Sequence, residues 1–278
     1  MEHRNRATGW QHAKISGHRN EDLVKELLDS SRDFRQYFLD RVNRSGQTII
    51  QTSVGGLHET SVTSVNGRKT KSKTDLKVYL NNNEIINVSI KKSLSGQVYF
   101  VKPELFISTF EYQFSKRIPD SVQRAIKLFW ASADDAIDII KQYADKTNTK
   151  NYDLQIRHKS LNATTLKNYN ESLYYDMLYW FADHSDELAK VSFSTGAVLN
   201  ESEWSDFIWY INLLGEHDID DIFYIDDVCN AAQQVSEEET YFGSNYGGTT
   251  IQSPFGCVEW HQGQLQFHHK YDKICKII

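Results

Sequence analysis

Two short runs constrain the backbone of this chain more tightly than anything else in its 278 residues. Residues 75–80, Asp-Leu-Lys-Val-Tyr-Leu, and residues 85–92, Ile-Ile-Asn-Val-Ser-Ile-Lys-Lys, alternate apolar and polar side chains, the period of a strand. Between them stand Asn81, Asn82 and Asn83, a residue type that tolerates the left-handed backbone of a tight turn. If all three form the turn, Leu80 pairs with Glu84 and Asp75 stands across from Ser89. Directly opposed side chains lie roughly 5 Å apart and the diagonal Lys91 about 7–8 Å away, so the three can surround one small volume. A two-residue turn would slip the register by one and separate them. The sequence therefore predicts a hairpin with an odd-length turn whose polar face gathers Asp75, Ser89 and Lys91.

Such a trio suits phosphodiester chemistry. A carboxylate at a strand end is a hard oxygen ligand for Mg²⁺, which keeps most of its waters and can also bind a phosphate. A lysine beside it can orient a water or stabilise charge growing on phosphate oxygens. Ser89 can supply a hydroxyl or position a metal-bound water. Glu21, at the start of an expected helix, either adds a second carboxylate or favours the helix N-terminus.

An Asp and a Lys on paired strands occur by chance in many proteins, so the surroundings matter. Net charge is −6, which by itself argues against a polyanionic partner. The charge is unevenly spread: residues 1–100 hold 16 Lys and Arg against 10 Asp and Glu, and the rest hold 15 against 27. Arg68, Lys69, Lys71, Lys73 and Lys77 surround Asp75, and Lys92 and Lys102 follow. A carboxylate among cations is what binding a polyanion through a metal requires, although a solvated basic loop would look the same.

Elsewhere the periodicity predicts helices at 20–28, opening on a capping-type Asn20, and at 34–42, then strands at 48–53 and 61–65. Residues 103–235 read mainly as helical, with clear stretches at 121–131, 134–144, 171–188 and 203–214. Their aromatics, Tyr174, Tyr175, Tyr179, Trp180 and Phe181 among them, read as packing rather than a platform for bases. The C-terminal stretch returns to strands at 255–261 and 265–269, flanking a turn at Gln262 and Gly263. Length and a 40% hydrophobic content fit one domain over 1–278, with 1–102 carrying the first helices and strands, 103–240 mainly helical, and 241–278 strand and loop.

No run of 18 apolar residues occurs, and Glu2, Arg4 and Arg6 stand where a signal peptide would be apolar. A cytoplasmic protein without a membrane partner is expected. Cys229, Cys257 and Cys275 are far apart, which indicates neither a disulfide framework nor a zinc site.

Thr74-Asp75 followed by Ser89-Ile-Lys91 resembles the active strands of the PD-(D/E)xK nucleases. The resemblance narrows to small type II restriction endonucleases that cut four-base palindromes. Gly17-His-Arg-Asn-Glu21 is similar to the start of the first helix in the GCGC cutters. Lys73-Thr-Asp75 and Ser89-Ile-Lys-Lys-Ser93 are similar to their active strands, and Gly248-Thr-Thr-Ile-Gln252 with Leu265-Gln-Phe267 to their C-terminal ends.

The resemblance implies an α/β fold with a mixed central sheet flanked by helices and Mg²⁺-dependent hydrolysis of double-stranded DNA at a short GC-rich palindrome, GCGC. It also implies a cognate DNA methyltransferase in the host, and a monomer or homodimer. Asp75 would be the metal ligand and Lys91 the catalytic cation. Ser89 departs from the amide or acidic residue of relatives, which leaves it a partner rather than an assumed ligand.

Groove edges and phosphates call for Asn, Gln, Thr, Lys and Arg side chains. Candidates are Lys71, Lys73, Lys92 and Gln97, then Asn245, Thr249, Thr250, Gln252, His269 and Lys270. The rivals are a non-catalytic DNA-binding protein of nuclease-like fold and a structure-selective repair nuclease.

Overall fold

In a computed structural model the chain is described over residues 6–55 and 62–278, with side chains from Ile15 onward. The first residue of the strand expected at 61–65 lies outside the described residues. Contacts divide the chain into two compact units, one ending at Leu94 and resuming over Phe193–Asp226, the other made of Ser95–Ser192 and Asp227–Ile278.

The first unit opens with α1 (Arg6–Ser30) and α2 (Arg32–Arg41), followed by β1 (Ile49–Val54), β2 (Val62–Thr63), β3 (Lys69–Thr70), β4 (Leu76–Leu80) and β5 (Ile85–Lys91). The second unit begins with β6 (Ser95–Val101), α3 (Pro103–Phe114), α4 (Asp120–Phe129), α5 (Ala136–Tyr143) and α6 (Thr149–His158). It continues with α7 (Ala163–Tyr169), α8 (Glu171–Asp183) and α9 (Ser185–Lys190). The chain then returns to the first unit for β7 (Phe207–Ile211) and β8 (Asp220–Tyr224). After α10 (Ile225–Gln234) it finishes with α11 (Ser236–Glu239), β9 (Tyr241–Phe242), β10 (Thr250–Ser253), β11 (Gly256–His261), β12 (Gln264–Lys270) and α12 (Tyr271–Ile277).

The fold is mixed α/β. In the first unit the strand order is β1-β4-β5-β7-β8, antiparallel throughout except for the parallel pair β5 and β7. Leu76, Val78 and Leu80 of β4 and Ile86, Val88 and Ile90 of β5 share a core with Val24 and Leu28 of α1, Phe38 of α2 and Trp209 of β7. The opposite face is polar yet covered. Asn87 donates through Nδ2 to the carbonyls of Ser202 and Trp204, at 3.0 and 2.9 Å, and its N–H donates to Asp206 at 2.8 Å.

The stretch at 203–214 is a correction: it is not helical but carries β7, a central strand. Phe-Ile-Trp-Tyr-Ile is covered on both faces, so its apolar side chains run continuously rather than alternating, and periodicity cannot tell such a strand from a buried helix. Helix α1 is a second correction, since it begins at least fourteen residues before Asn20. Residues 6–19 show no apolar stripe that would reveal it. Gly17 to Glu21, likened to a helix start, lie within this helix, and the helix expected at 171–188 breaks at His184 into α8 and α9.

Asn20 is therefore no cap. Fully buried, it donates through Nδ2 to Ile211 O at 2.9 Å and accepts the Leu213 N–H at 2.8 Å, tying α1 to the end of β7. Asn20→Ala leaves both backbone groups without this partner and should cost about 1–3 kcal/mol, read from the urea midpoint.

In the second unit an antiparallel sheet of order β6-β12-β11-β10-β9 packs with helices around Phe106, Phe110, Trp180 and Phe267. Trp180 and Phe181 are buried, as packing residues should be, whereas Tyr179 is exposed and stacks on Tyr175. Gln262 and Gly263 turn β11 into β12 with positive φ at both positions, 52° and 73°, the backbone of a tight hairpin turn. Among the described residues no helix is long and apolar enough to cross a membrane.

Candidate active site

The hairpin of β4 and β5 has a three-residue turn. Leu80 N–H donates to Glu84 O at 2.9 Å, Asn83 takes φ 67°, and the ladder pairs Val78 with Ile86 and Leu76 with Val88. Arg44 holds Glu84 through two nitrogens, at 2.7 to 3.0 Å, and bolts the turn in place.

At the other end β4 leaves the ladder. Continuing the register would offer the Thr74 carbonyl to Ile90 N–H. Instead, the Ser72 and Thr74 hydroxyls donate to Glu203 O, at 2.7 and 3.0 Å, holding the backbone away. The Asp75 carboxylate substitutes for the missing acceptor: its Oδ2 takes Ile90 N–H at 2.8 Å and the Ser89 hydroxyl at 3.2 Å. Lys91 Nζ stands 3.7 Å from the same Oδ2, donates to Ser89 Oγ, and lies 3.3 Å from the Ile90 carbonyl. The structure thus brings Asp75, Ser89 and Lys91 together. Ser89 is 1% exposed, so its hydroxyl is a bridge between ammonium and carboxylate.

Glu21 joins them from α1. A cavity of about 290 Å³ is lined by His18, Glu21, Lys71, Asp75, Lys77 and Glu203. Glu21 is largely buried and its Oε2 lies 2.9 Å from His18 Nδ1. Burial first, and then the negative charge of Asp75, raise its pKa to about 8, against the pull of Lys91. Because Glu21 sits inside a helix rather than at its start, the helix dipole does not explain its presence.

Lys73 is half-buried beside the same charges. Burial and the like charge of Lys91 bring its pKa down to about 7, with Asp75 acting the other way. Its stem runs against Gly196, where a Cβ would come within 2.9 Å of Lys73 Cε and where φ is +51°. Lys77 pairs with Glu203 at 2.7 Å. The sequence signal missed for His18 was its i, i+3 spacing to Glu21; Glu203 was hidden in a stretch read as helix.

The raised pKa of Glu21 sets a pH dependence. Between the ordinary carboxylate value and about 8, the unfolded chain releases a proton that the folded chain keeps, so stability falls as pH rises through this window. Glu21→Gln should flatten that fall, which melting temperatures of both proteins from pH 4.5 to 8.5 would show.

Among the described residues no group of three or more His, Cys, Asp or Glu is arranged to hold a metal. Two carboxylates, Asp75 and Glu21, line the cavity together, and the Ile90 carbonyl lies beside Lys91 Nζ, which stands 3.7 Å from Asp75. Mg²⁺ is commonly held by one or two carboxylates, with waters completing its shell, so this set fits it.

The other basic and polar candidates are dispersed. Lys71 is exposed on the cavity rim, while Lys92 is engaged by Glu216 at 2.6 Å. Gln97, Asn245, Thr249, Thr250, Gln252, His269 and Lys270 belong to the second unit. Gln97 is exposed and accepts from Gln266 at 2.8 Å, and Asn245 is exposed in a turn. His269 is only 3% exposed: on β12 it takes the inward position and His268 the outward.

No family model matches the chain, and no curated protein matches it. Among solved structures, the restriction endonuclease MspI in complex with its cognate DNA is similar with a TM-score of 0.41 and 12% identity, over 89% of this chain and 83% of that one.

Proposed function

We propose that this chain is a Mg²⁺-dependent type II restriction endonuclease that hydrolyses both strands of double-stranded DNA at a short GC-rich palindrome, GCGC being the site its motifs imply. The observation that carries the reading is the cluster where β4 leaves β5: a carboxylate, a buried hydroxyl and an ammonium share contacts, and a second, largely buried carboxylate lines a lysine-rimmed cavity together with the first.

Asp75 and Glu21, with the Ile90 carbonyl, would hold the ion. Bound Mg²⁺ would supply polarisation of the scissile phosphate and acidification of a water. Glu21 must then give up the proton its environment favours, so ion binding should strengthen with rising pH. Lys91, restrained by Ser89 and Asp75, presents a compact positive charge to developing phosphate oxygens. Ser89 positions both partners and does not open to the substrate. Lys71 adds a cation on the cavity rim, and Lys73 adds one below about pH 7.

The test is digestion of a plasmid by the pure protein with Mg²⁺, and with EDTA, followed by sequencing of the ends. Discrete fragments with common ends that disappear with EDTA support the proposal. Binding without cutting would make the protein a non-catalytic DNA binder, and nicking or smearing would make it a structure-selective nuclease.

A further inference from the structure

The second unit contains a cavity of about 370 Å³ that plays no part in the cluster described above. Its walls include Phe129, His158, Tyr246 and Trp260. His158, at the end of α6, meets Trp260 of β11 with ring centroids 4.2 Å apart. A volume of this size falls in the range of small-molecule sites.

Two hydrogen-bond donors in its lining lack acceptors. Trp260 Nε1 is buried and makes no hydrogen bond among the described residues. Gln155, 5% exposed, uses Oε1 to accept the Asn162 N–H at 3.0 Å. That bond fixes the amide's orientation, and Nε2 donates to no group among the described residues. The indole N–H lies in the ring plane and is closed off from the cavity, so the amide of Gln155 is the donor an occupant can meet, and it asks for an acceptor. At the rim, Lys150 Nζ lies 5.0 Å from the centroid of the Tyr246 ring.

An aliphatic occupant would fill the aromatic walls and leave the Gln155 amide without an acceptor. A free anion would answer Lys150 and leave the rings bare. A nucleotide answers all three features: the faces of its base stack on aromatic rings, its edge carries carbonyl and ring-nitrogen acceptors, and its phosphate is an anion. We infer that this cavity is a pocket for one unstacked nucleobase, held between Trp260 and Tyr246 with its edge on Gln155 and its phosphate toward Lys150. The base comes either from a free nucleotide or from a DNA strand that extrudes it. The inference does not depend on the nuclease reading.

The full chain is titrated with dGMP, dCMP, dAMP and dTMP, with deoxyguanosine and with inorganic phosphate, following tryptophan fluorescence and heat. At least one nucleotide should bind saturably. Trp260→Ala removes one stacking wall and should weaken binding about tenfold. Lys150→Ala, at an exposed position, should weaken the nucleotide and spare the nucleoside. A duplex carrying 2-aminopurine separates the sources: brightening that Trp260→Ala abolishes marks an extruded base, and nucleotide binding without brightening marks a free one. Absence of both signals overturns the pocket. So does binding that Trp260→Ala and Lys150→Ala leave unchanged in folded protein, or equal affinity for inorganic phosphate.

Discussion

Lys91→Ala should lower the rate of DNA cleavage on the order of 10²–10³-fold while leaving binding of the same DNA in EDTA close to wild type. The ammonium does not hold the hairpin together. Its partners keep each other when it is gone, because Ser89 still donates to Asp75 and Asp75 still accepts Ile90 N–H. What disappears is a positive charge held 3.7 Å from the carboxylate, beside a carbonyl that faces the same space. Lys91→Arg should not restore full rate, since a planar fork does not place its charge where a compact ammonium does. Single-turnover cleavage alongside a gel-shift titration separates rate from binding. Cleavage by Lys91→Ala at the wild-type rate would remove Lys91 from the mechanism.

Trp209→Ala should destabilise the protein by about 3–5 kcal/mol, the largest stability effect expected of a single change here. Trp209 is fully buried in β7. Its ring lies 5.9 Å from that of Phe34 and 5.3 Å from that of Phe38, and its indole N–H donates to Asp220 at 2.7 Å. Truncation opens a cavity between the sheet and α2 and releases the bond to β8. A shift in the urea midpoint with little change in slope is the expected signature. A loss below ~1 kcal/mol would mean that the site collapses without β7.

These two residues also separate what could be read in the chain from what could not. The hairpin carrying Lys91 was legible because its determinants are local: strict alternation, three asparagines in a row, and a parity rule linking turn length to which side chains meet. The strand carrying Trp209 was not, because burial on both faces erases alternation. Its partner β5 lies more than a hundred residues earlier, so their parallel pairing has no local signature. Glu203 was misplaced along with it.

Glu21 shows the same division within one site. That a carboxylate stands at position 21 among early helical residues is plain from the sequence, and two explanations for it were open. Only the folded chain removes one of them, by extending α1 well before Asn20 and burying Glu21 beside Asp75. The polar stretch at 244–252 illustrates the limit from the other side: its residues are placed in the second unit, while their part in reading DNA rests on the resemblance.

By itself, then, the sequence determined the β4–β5 register and with it the meeting of Asp75, Ser89 and Lys91, because strand alternation and turn length act over a few residues. Tertiary structure alone decided that β4 is pulled from the ladder by Ser72 and Thr74, that Asp75 takes over as acceptor for Ile90, and that α1 delivers Glu21 to the same cavity. Those outcomes depend on where distant segments pack, through contacts such as Asn20 with the end of β7, and no local pattern encodes them.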